Sequence, residues 1–282
     1  MLATTRYGTA GAAPTLLAHC YLGHAGTWRG LMAALRSPLD ALAFDMPGHG
    51  RSPLTALPVD YHAEVAGLFP GLLETLAPDG RPALIIGHSF GAASALRHAL
   101  DRPETVAGLV LIEPVFFAAA RGMAEHAAWM KDEAPIHAAL AEGRLDDAAA
   151  LFLRQNGDGT PYEAMPEQVR KMLRRQIAMM PSSAAGLIAD SGDLLAPGRL
   201  EGFAAPVLLL AGAASPPIFP AICRALAARL GGGLGSARFA QIPGAGHMLP
   251  ISHATEVARL IDDWLAESAL AQATSAAKAG QV

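Results

Sequence analysis

The sequence predicts an α/β fold, with a doubly wound, mostly parallel sheet and an inserted all-helical cap. Short apolar runs alternate with segments of helical apolar spacing over residues 1–114, and the same alternation returns after residue 200. Between them, residues 115–200 contain helical patterns and no strand-like run. Hydrophobic residues make up 52% of the 282-residue chain and charged residues 16%, which is ample material for a buried core.

The expected strands are short apolar runs bounded by loops. They cover residues 15–20, 40–45, 83–86, 106–112, 206–211 and 237–242. Strands that alternate with helices pair in parallel, and right-handed crossovers place all of their carboxyl ends at one edge of the sheet. The loops that follow these strands are therefore expected to converge in space.

The helices follow from apolar residues repeating every three to four positions. In the sheet region they are expected over residues 27–35, 61–76, 90–101, 217–230 and 254–265, and in the cap over residues 116–133, 136–155, 166–180 and 182–195. The expected domains are a core of residues 1–114 and 201–268 and a cap of residues 115–200. Residues 269–282 are small and polar and are expected to be a disordered tail.

A Gly-His-Ser-Phe-Gly stretch at residues 87–91 follows one predicted strand and precedes a predicted helix. A serine at such a sharp corner needs flanking glycines, because side chains there would clash. Its hydroxyl would stand at a helix N-terminus, where backbone N–H groups favour a developing anion. The context predicts that Ser89 is a nucleophile. A plain helix N-cap serine is the competing interpretation.

Composition and charge narrow the possible partners to a small-molecule substrate. The net charge of −4 gives no basic surface for nucleic acid, and no apolar run reaches the roughly 18 residues of a membrane span. We expect no cofactor and no metal, because zinc, haem and phosphate-loop patterns are missing from the sequence. The first residues lack the apolar core of a signal peptide. Cys20 and Cys223 are far apart in sequence, and we interpret them as free thiols. Both observations lead us to expect a cytoplasmic protein.

Four segments together resemble the landmark loops of the α/β-hydrolase fold family, in that family's order. They are residues 19–23 (His-Cys-Tyr-Leu-Gly), 45–52 (Asp-Met-Pro-Gly-His-Gly-Arg-Ser), 87–91 and 244–248 (Gly-Ala-Gly-His-Met). The resemblance extends from about residue 15 to about residue 266 and implies a serine hydrolase with a helical cap. It implies Ser89 as nucleophile and His247 as its base, with the backbone N–H groups of Phe90 and of Tyr21 or a neighbour as the oxyanion hole.

The resemblance also bears on the landmark residues that are not part of the catalytic triad. The family usually has His-Gly where this chain has His19-Cys20, so which N–H of that loop points inward is open. Side chains expected near the substrate pocket are those of His19, Cys20, Leu22 and Met248. Asp45 and His49 resemble a structural landmark of the family and are expected to serve as scaffold.

The third member of the triad is the open question. The family most often places an aspartate after the strand at 206–211, and this chain has Ser215 there. Some members have the acid at the end of the preceding core strand, where this chain has Glu113. We expect Glu113 to orient His247, because an unpaired carboxylate at that edge would be costly. The alternatives are a cap-end acid, Asp190 or Asp193, or a Ser-His dyad with Glu113 tethering the cap.

These residues predict a serine hydrolase of small, fairly apolar ester, lactone or similar carbonyl substrates. Carbon–carbon bond hydrolysis and cofactor-free perhydrolysis use the same triad and stay open. Haloalkane dehalogenase and epoxide hydrolase chemistry is disfavoured, because such relatives have an aspartate at the elbow where this chain has Ser89. A receptor-like hydrolase fold with little turnover is the rival from another class, motivated by Ser215. Substrate identity and oligomeric state stay undetermined.

Overall fold

The computed structural model describes residues 1–54, 56, 59–230 and 237–279, with side chains described as far as residue 268. Its centre is a seven-stranded sheet in the order β1-β3-β2-β4-β5-β6-β7. The strands are β1 (Thr4–Gly8), β2 (Ala13–Ala18), β3 (Leu39–Phe44), β4 (Ala83–His88), β5 (Val106–Ile112), β6 (Val207–Gly212) and β7 (Arg238–Ile242). β1 is antiparallel to β3, and all other neighbouring pairs are parallel.

The helices cover both faces of this sheet. They are α1 (Arg29–Ala34), α2 (Tyr61–Leu76), α3 (Phe90–Asp101), α4 (Ala124–Ala141), α5 (Leu145–Asn156), α6 (Glu167–Ile177), α7 (Ala184–Leu187), α8 (Ile218–Ala227), α9 (Leu249–Ser252) and α10 (Ala254–Ala279). Helices α2, α3 and α8 pack on one face, and α1 and α10 pack on the other. The predicted α/β class with a mostly parallel sheet is confirmed.

Successive side chains of each central strand point to opposite faces of the sheet, and both faces are buried. In β4, Ile85 contributes to the core beneath α2 and α3, whereas its neighbour Ile86 contributes to the core beneath α1 and α10. Both side chains are fully buried. Successive residues of a strand point to opposite faces, so a strand covered on both sides is apolar throughout. This is the continuous apolar pattern from which the strands were predicted.

The helices between β5 and β6 form a small apolar core of their own. Its fully or nearly fully buried members are Ile136, Ala139, Ala148, Ala149, Tyr162, Leu173 and Ile177. Several contacts fix this helical segment to the sheet region, and two of them lie close to the first loop and to α8. The Tyr21 hydroxyl donates to the Gln176 carbonyl over 2.7 Å. The Trp129 ring meets the Phe219 ring edge-on, with 5.1 Å between the ring centroids.

Within this helical segment, two predicted helix boundaries are wrong. A break was expected between residues 133 and 136, but α4 continues through Pro135 and the chain turns at Gly143, where φ is +71°. Proline removes only one helical hydrogen bond, and the buried Trp129 and Ile136 on either side hold the helix together. The helix expected over residues 182–195 is limited to the single turn α7, because the backbone turns at Asp190 with a positive φ of 60°.

The two ends of the chain also differ from expectation. β1 was not predicted; it is an edge strand with alternating exposure, and its Thr-Thr-Arg-Tyr-Gly sequence has the weak period of a half-exposed strand. At the other end, α10 extends beyond residue 265 to Ala279. The side chains of residues 269–279 and all of residues 280–282 lie outside the described part, so the disordered tail stays a prediction. Within the described ranges, no helix is both long and apolar enough to cross a membrane.

Candidate active site

Ser89 occupies a strained corner between β4 and α3. Its φ is +55° and its ψ is −116°, a conformation that residues with a side chain rarely adopt. A Cβ atom at Gly87 would lie 2.5 Å from Cα of Ala92, and one at Gly91 would collide with the carbonyl oxygen of Ala18. Both positions therefore require glycine. Ser89 is the N-cap residue of α3 by position, but its side chain makes no capping hydrogen bond.

The Ser89 hydroxyl is instead directed to His247. Ser89 Oγ lies 3.0 Å from Nε2 of His247, and His247 Nδ1 lies 2.6 Å from Oε2 of Glu113. All three side chains are buried, and Glu113 is 0% exposed. A carboxylate can only accept, so Nδ1 bears the proton and Nε2 is free to accept from the serine. This is the proton arrangement that a general base next to a nucleophile needs.

Backbone contacts between neighbouring strands bring these three residues together. The Ser89 N–H donates to the carbonyl of Ile112, the residue before Glu113, over 2.8 Å. Glu113 itself has a positive φ of 45°, and its Oε1 accepts the Gly212 N–H over 2.7 Å. The loop that holds His247 is tied to the loop after β6, since the Ala214 N–H donates to the Ala245 carbonyl over 2.9 Å. One sheet edge therefore positions all three groups.

Two neighbouring side chains hold His247, one by packing on its ring and the other by bonding its backbone. The ring of Phe219 stacks on it, with 4.4 Å between the centroids and 21° between the planes. The Nε2 atom of His88 lies 2.8 Å from the His247 carbonyl oxygen, to which it donates. Burial lowers the pKa of His88 well below its usual value, so His88 is neutral and supports the loop as a hydrogen-bond donor.

The other acid candidates have different surroundings. The Asp190 carboxylate accepts the N–H groups of Leu194 and Leu195 over 2.8 and 3.0 Å, which closes the turn at the end of the helical segment. The backbone N–H of Asp193 donates to the Asp190 carbonyl in the same turn. Ser215 Oγ is buried without a hydrogen-bond partner among the described residues. Of these candidates, the structure brings Glu113 to His247.

A small cavity of about 50 Å³ lies beside Ser89, under the helical segment. It is lined by Tyr21, Ser89, Phe90, Val115, Phe117, Trp129, Glu133, Phe152, Asn156, Met180, Ser183, Leu187, Phe219 and His247. Most of these side chains are apolar, and several of them are aromatic. A cavity needs only about 10–15 Å³ of such volume to hold a water molecule, so this cavity has room for ordered water.

Of the residues expected near the substrate, Tyr21 and Phe90 line this cavity. Their rings meet edge-on with 5.7 Å between the centroids. The four side chains expected in the pocket, those of His19, Cys20, Leu22 and Met248, are not among the residues that line it. Their absence from the lining corrects that expectation. For His19, Cys20 and Leu22 the cause lies in the first loop, which turns its Tyr21 side chain toward the cavity and leaves its neighbours in the scaffold.

His19 and Cys20 are structural in this arrangement. His19 Nε2 accepts the Met46 N–H over 3.0 Å, and His19 Nδ1 lies 2.7 Å from the Cys20 carbonyl. Burial lowers the pKa of His19 to about 4 and raises the pKa of the Cys20 thiol to about 12, so both side chains are neutral at pH 7. Leu22 is partly buried against the apolar cores, and Met248 precedes α9 as its N-cap residue.

The loop after β3 has the scaffold role expected for it. Asp45 accepts the N–H groups of Ala25 and Arg51 over 2.7 and 2.8 Å, so one carboxylate holds two loops together. His49 is fully buried, and burial lowers its pKa to about 3. The Tyr61 hydroxyl donates to the Pro47 carbonyl of the same loop over 2.7 Å.

The residues that sequence reasoning did not assign to the site come from the helical segment. The sequence did not assign Trp129, Met180, Glu133, Asn156 or Ser183 to the site. All five line the cavity next to Ser89. A helix that packs inward looks the same in sequence whether it faces a core or a cavity, so no pattern distinguishes them. No group of three or more metal-binding side chains occurs in the described part of the chain.

Comparison with known proteins gives the same fold and the same class. A model described as the alpha/beta hydrolase family matches residues 15–260. The chain therefore belongs to the alpha/beta hydrolase family, and it is a hydrolase enzyme.

Three proteins illustrate the similarity. The pimeloyl-(acyl-carrier protein) methyl ester esterase of Methylococcus capsulatus is 33% identical over 270 residues, which cover 92% of this chain and 98% of that protein. Lipase LipV of Mycobacterium tuberculosis is 41% identical over 109 residues, so the match spans only 40% of its length and 39% of this chain. The crystal structure of the enol-lactonase from Burkholderia xenovorans LB400 superimposes with a TM-score of 0.69 at 20% identity, covering 94% of this chain and 96% of that one.

Proposed function

We propose that the chain is a serine hydrolase that cleaves small, mostly apolar carboxylic esters or lactones through an acyl-enzyme. The observation behind this proposal is the continuous row of hydrogen bonds from Glu113 through His247 to Ser89, which ends beside an apolar cavity. A serine hydroxyl is a poor nucleophile at neutral pH unless a base accepts its proton. His247 is placed to be that base, and Glu113 to stabilise the imidazolium that results.

In the first half of the reaction, Ser89 Oγ attacks the carbonyl carbon of the ester while its proton passes to Nε2 of His247. The carbonyl oxygen becomes an oxyanion, which we assign to the backbone N–H groups of Phe90 and Tyr21. The tetrahedral intermediate then collapses. The ester C–O bond breaks, the alcohol leaves with the proton from His247, and the acyl group stays on Ser89 as an ester.

In the second half, a water molecule takes the place of the alcohol. His247 accepts one of its protons as its oxygen attacks the acyl carbon. The second tetrahedral intermediate then collapses: the bond between the acyl carbon and Ser89 Oγ breaks, His247 returns the proton to Ser89 Oγ, and the carboxylic acid is released. No cofactor enters either half of this reaction.

The substrate class is inferred from the cavity and from a relative. Aromatic and aliphatic side chains such as Phe117, Phe152 and Leu187 make up most of the cavity wall and favour a small, largely apolar acyl group. A relative that matches along almost its whole length is named a methyl ester esterase. We therefore propose short methyl esters as first substrates. We also propose that residues 115–200 act as the cap that selects among them.

The proposal is tested with the full chain and short methyl esters and lactones. Acid release in a pH-stat and a covalent acyl adduct on the Ser89 peptide by mass spectrometry are expected for the natural sequence. Ser89→Ala should abolish both signals. Ser94→Ala is a matched control, because Ser94 is a buried serine in α3 whose hydroxyl bonds the Phe90 carbonyl. Wild-type turnover in Ser89→Ala would overturn the assignment of Ser89 as nucleophile. No turnover of any ester by the natural sequence would overturn the proposal and favour the receptor-like alternative.

A cytoplasmic location is part of the proposal. Cys20 and Cys223 are both free and buried, and neither forms a disulfide. Unpaired thiols are typical of proteins in reducing compartments. Fractionation of cells that express the full chain tests this, and recovery from the oxidising exterior would contradict it.

A further inference from the structure

The two ring nitrogens of His247 are both bonded, but these bonds leave one motion of the ring open. Nδ1 lies 2.6 Å from Glu113, and Nε2 lies 3.0 Å from Ser89. The ring can still turn about the line through its two nitrogens. Such a turn swings the Nε2 lone pair away from Ser89, and a hydrogen bond weakens steeply as its angle departs from linear. A flat group packed on the face of the ring prevents this turn.

Phe219 supplies that flat group. Its ring stacks on the His247 ring with 4.4 Å between the centroids and 21° between the planes, and Phe219 is fully buried. Phe219 lies in the first turn of α8, where its N–H donates to the Pro216 carbonyl over 3.1 Å. A cation within about 6 Å of the face of an aromatic ring is attracted to it. The imidazolium that forms in the proposed reaction is therefore stabilised by Phe219 as well as aligned by it.

Trp129 holds Phe219 from the helical segment. The two rings meet edge-on, with 5.1 Å between the centroids and 62° between the planes. The ring of Phe117 stacks on Trp129 in turn, at 5.7 Å and 21°. Trp129 belongs to the apolar core beneath α2, α3 and α8, whereas Ile136, further along α4, belongs to the separate core of the helical segment. A continuous row of aromatic contacts therefore leads from α4 to the ring of His247.

We propose that Trp129 is a positioning residue for His247 and acts through Phe219. The inference rests on the proposed function, because it concerns the base of that reaction. Without the indole, the edge of Phe219 faces vacated space and its ring can tilt. The tilted ring no longer keeps the His247 ring aligned with Ser89, so the bond-making step slows. The helical segment thus contributes to the chemistry in addition to choosing the substrate.

Trp129 also lines the cavity, so a role in ligand binding alone is the rival to this proposal. The two roles differ in the step that they affect. A residue that only contacts the ligand changes the concentration needed for half-saturation, whereas a positioning residue changes the rate at saturation. Residues that act through one another are also not additive. If Trp129 acts through Phe219, its removal has no further effect once Phe219 has been replaced.

The test is the labelling of Ser89 in the full chain by a fluorophosphonate, measured as the rate constant at saturating probe and as the half-saturating probe concentration. Ser89 Oγ bonds the phosphorus and fluoride leaves while the serine proton passes to His247, so the maximal rate reports on the base. Phe219→Leu should lower the maximal rate about tenfold and Trp129→Leu about fivefold, factors in the range that aromatic pairs contribute. The double variant should stay within about twofold of Phe219→Leu. Trp129→Phe keeps an aromatic ring and should recover most of the rate.

Trp264→Leu is the matched control. Trp264 and Trp129 are both 4% exposed, but Trp264 lies on α10 in the core on the opposite face of the sheet. Its replacement removes the same buried ring and should leave the maximal rate within about twofold of the natural sequence. Trp129→Met is a second variant, whose flexible side chain refills the space if Trp129→Leu does not fold. It should show the same loss as Trp129→Leu.

A natural maximal rate in Trp129→Leu or Trp129→Met overturns the proposal, even where the half-saturating concentration changes. A double variant in which the two losses multiply, to about fiftyfold, overturns the action through Phe219. An equal loss of rate in Trp264→Leu also overturns it, because general loosening of the fold would then explain the result. In each of these cases Ser89 is still labelled and the proposed function stands. If the natural sequence is never labelled at Ser89, the proposed function itself fails.

Discussion

Oε2 of Glu113 lies 2.6 Å from Nδ1 of His247, so the carboxylate that faces the histidine comes from the end of β5. The loop after β6 has no acid in the corresponding place and carries Ser215 instead. That loop still takes part, because its Gly212 N–H donates to the second oxygen of Glu113. Each oxygen of the carboxylate thus has its own partner. The side chain is held in one orientation relative to the histidine.

Glu113→Gln is expected to lower kcat by about 10³- to 10⁴-fold. An amide cannot stabilise the imidazolium by charge, and its NH₂ group turned toward Nδ1 would leave the proton on Nε2, which then cannot accept from Ser89. Steady-state hydrolysis of a short methyl ester measures the effect. Ser215→Ala is the control and should stay within about twofold of the natural sequence, since its hydroxyl has no partner in the described structure. A Glu113→Gln enzyme within tenfold of wild type would contradict the assigned role.

Two glycine substitutions test the packing that supports the elbow. Gly91→Ala places a Cβ against the Ala18 carbonyl and should lower the free energy of unfolding by about 3 kcal/mol or more, since α3 and β2 must separate. Gly67→Ala, on the open face of α2, meets no atom within 4 Å and should raise it by about 0.5–1 kcal/mol. Urea unfolding of both variants measures the difference. Equal midpoints would show that the close approach of α3 to β2 is not as described.

Acid should destabilise the fold through its buried histidines. Burial lowers the pKa of His19 to about 4 and that of His49 to about 3, whereas an unfolded histidine titrates near 6.5. Below pH 6.5 the unfolded chain binds protons that the folded chain does not, so the free energy of unfolding falls as the pH drops toward 4. Above pH 6.5 these groups contribute no slope. His19 alone accounts for about 3 kcal/mol of the change.

Urea midpoints at pH 7 and pH 5 check this expectation. His19→Asn should flatten the acid slope, and His24→Gln, at an exposed position, is the control for exchanging a histidine for an amide. A slope that His19→Asn leaves unchanged would assign the acid sensitivity to other groups.

The size of the cavity should set the preferred acyl length. Met180 is a lining residue, and its truncation to alanine enlarges a space of only about 50 Å³. Met180→Ala should shift the optimum of kcat/KM toward acyl chains longer by one or two methylenes, with about a tenfold gain for the longer ester relative to the shorter one. Met172→Ala is the control, because Met172 lies on α6 and does not line this cavity. An unchanged length profile in Met180→Ala would place the acyl group elsewhere.

Much of the sheet and the central geometry could be predicted because they rest on strong local rules. The strands could be predicted because burial on both faces makes them apolar throughout, as in β4. The sharp corner at Ser89 could be predicted because flanking side chains at Gly87 and Gly91 would collide with the backbone. Glu113 was predicted as the partner of His247 from the cost of leaving a carboxylate unpaired at the sheet edge. That prediction also used the resemblance to family members that have their acid at the end of this strand.

The helical segment between β5 and β6 could not be predicted to the same depth. Pro135 signals a helix end in sequence, yet tertiary packing of Trp129 and Ile136 overrides it. The pocket side chains were misplaced for a similar reason, since the first loop has consecutive candidates and only its three-dimensional course selects Tyr21. Glu133 and Ser183 show no sequence signal at all. A polar residue on a helix is ordinary until the structure places it in a cavity.

The most direct test of the account is the rate at which a fluorophosphonate labels Ser89 in the full chain. The account predicts rapid, stoichiometric labelling that mass spectrometry maps to the Ser89 peptide. It also predicts that His247→Ala abolishes this labelling, that Glu113→Gln slows it by orders of magnitude, and that Ser215→Ala leaves it unchanged. A natural-sequence protein that is not labelled, or one labelled equally fast after Glu113→Gln, would contradict the central claim that Glu113 and His247 activate this serine.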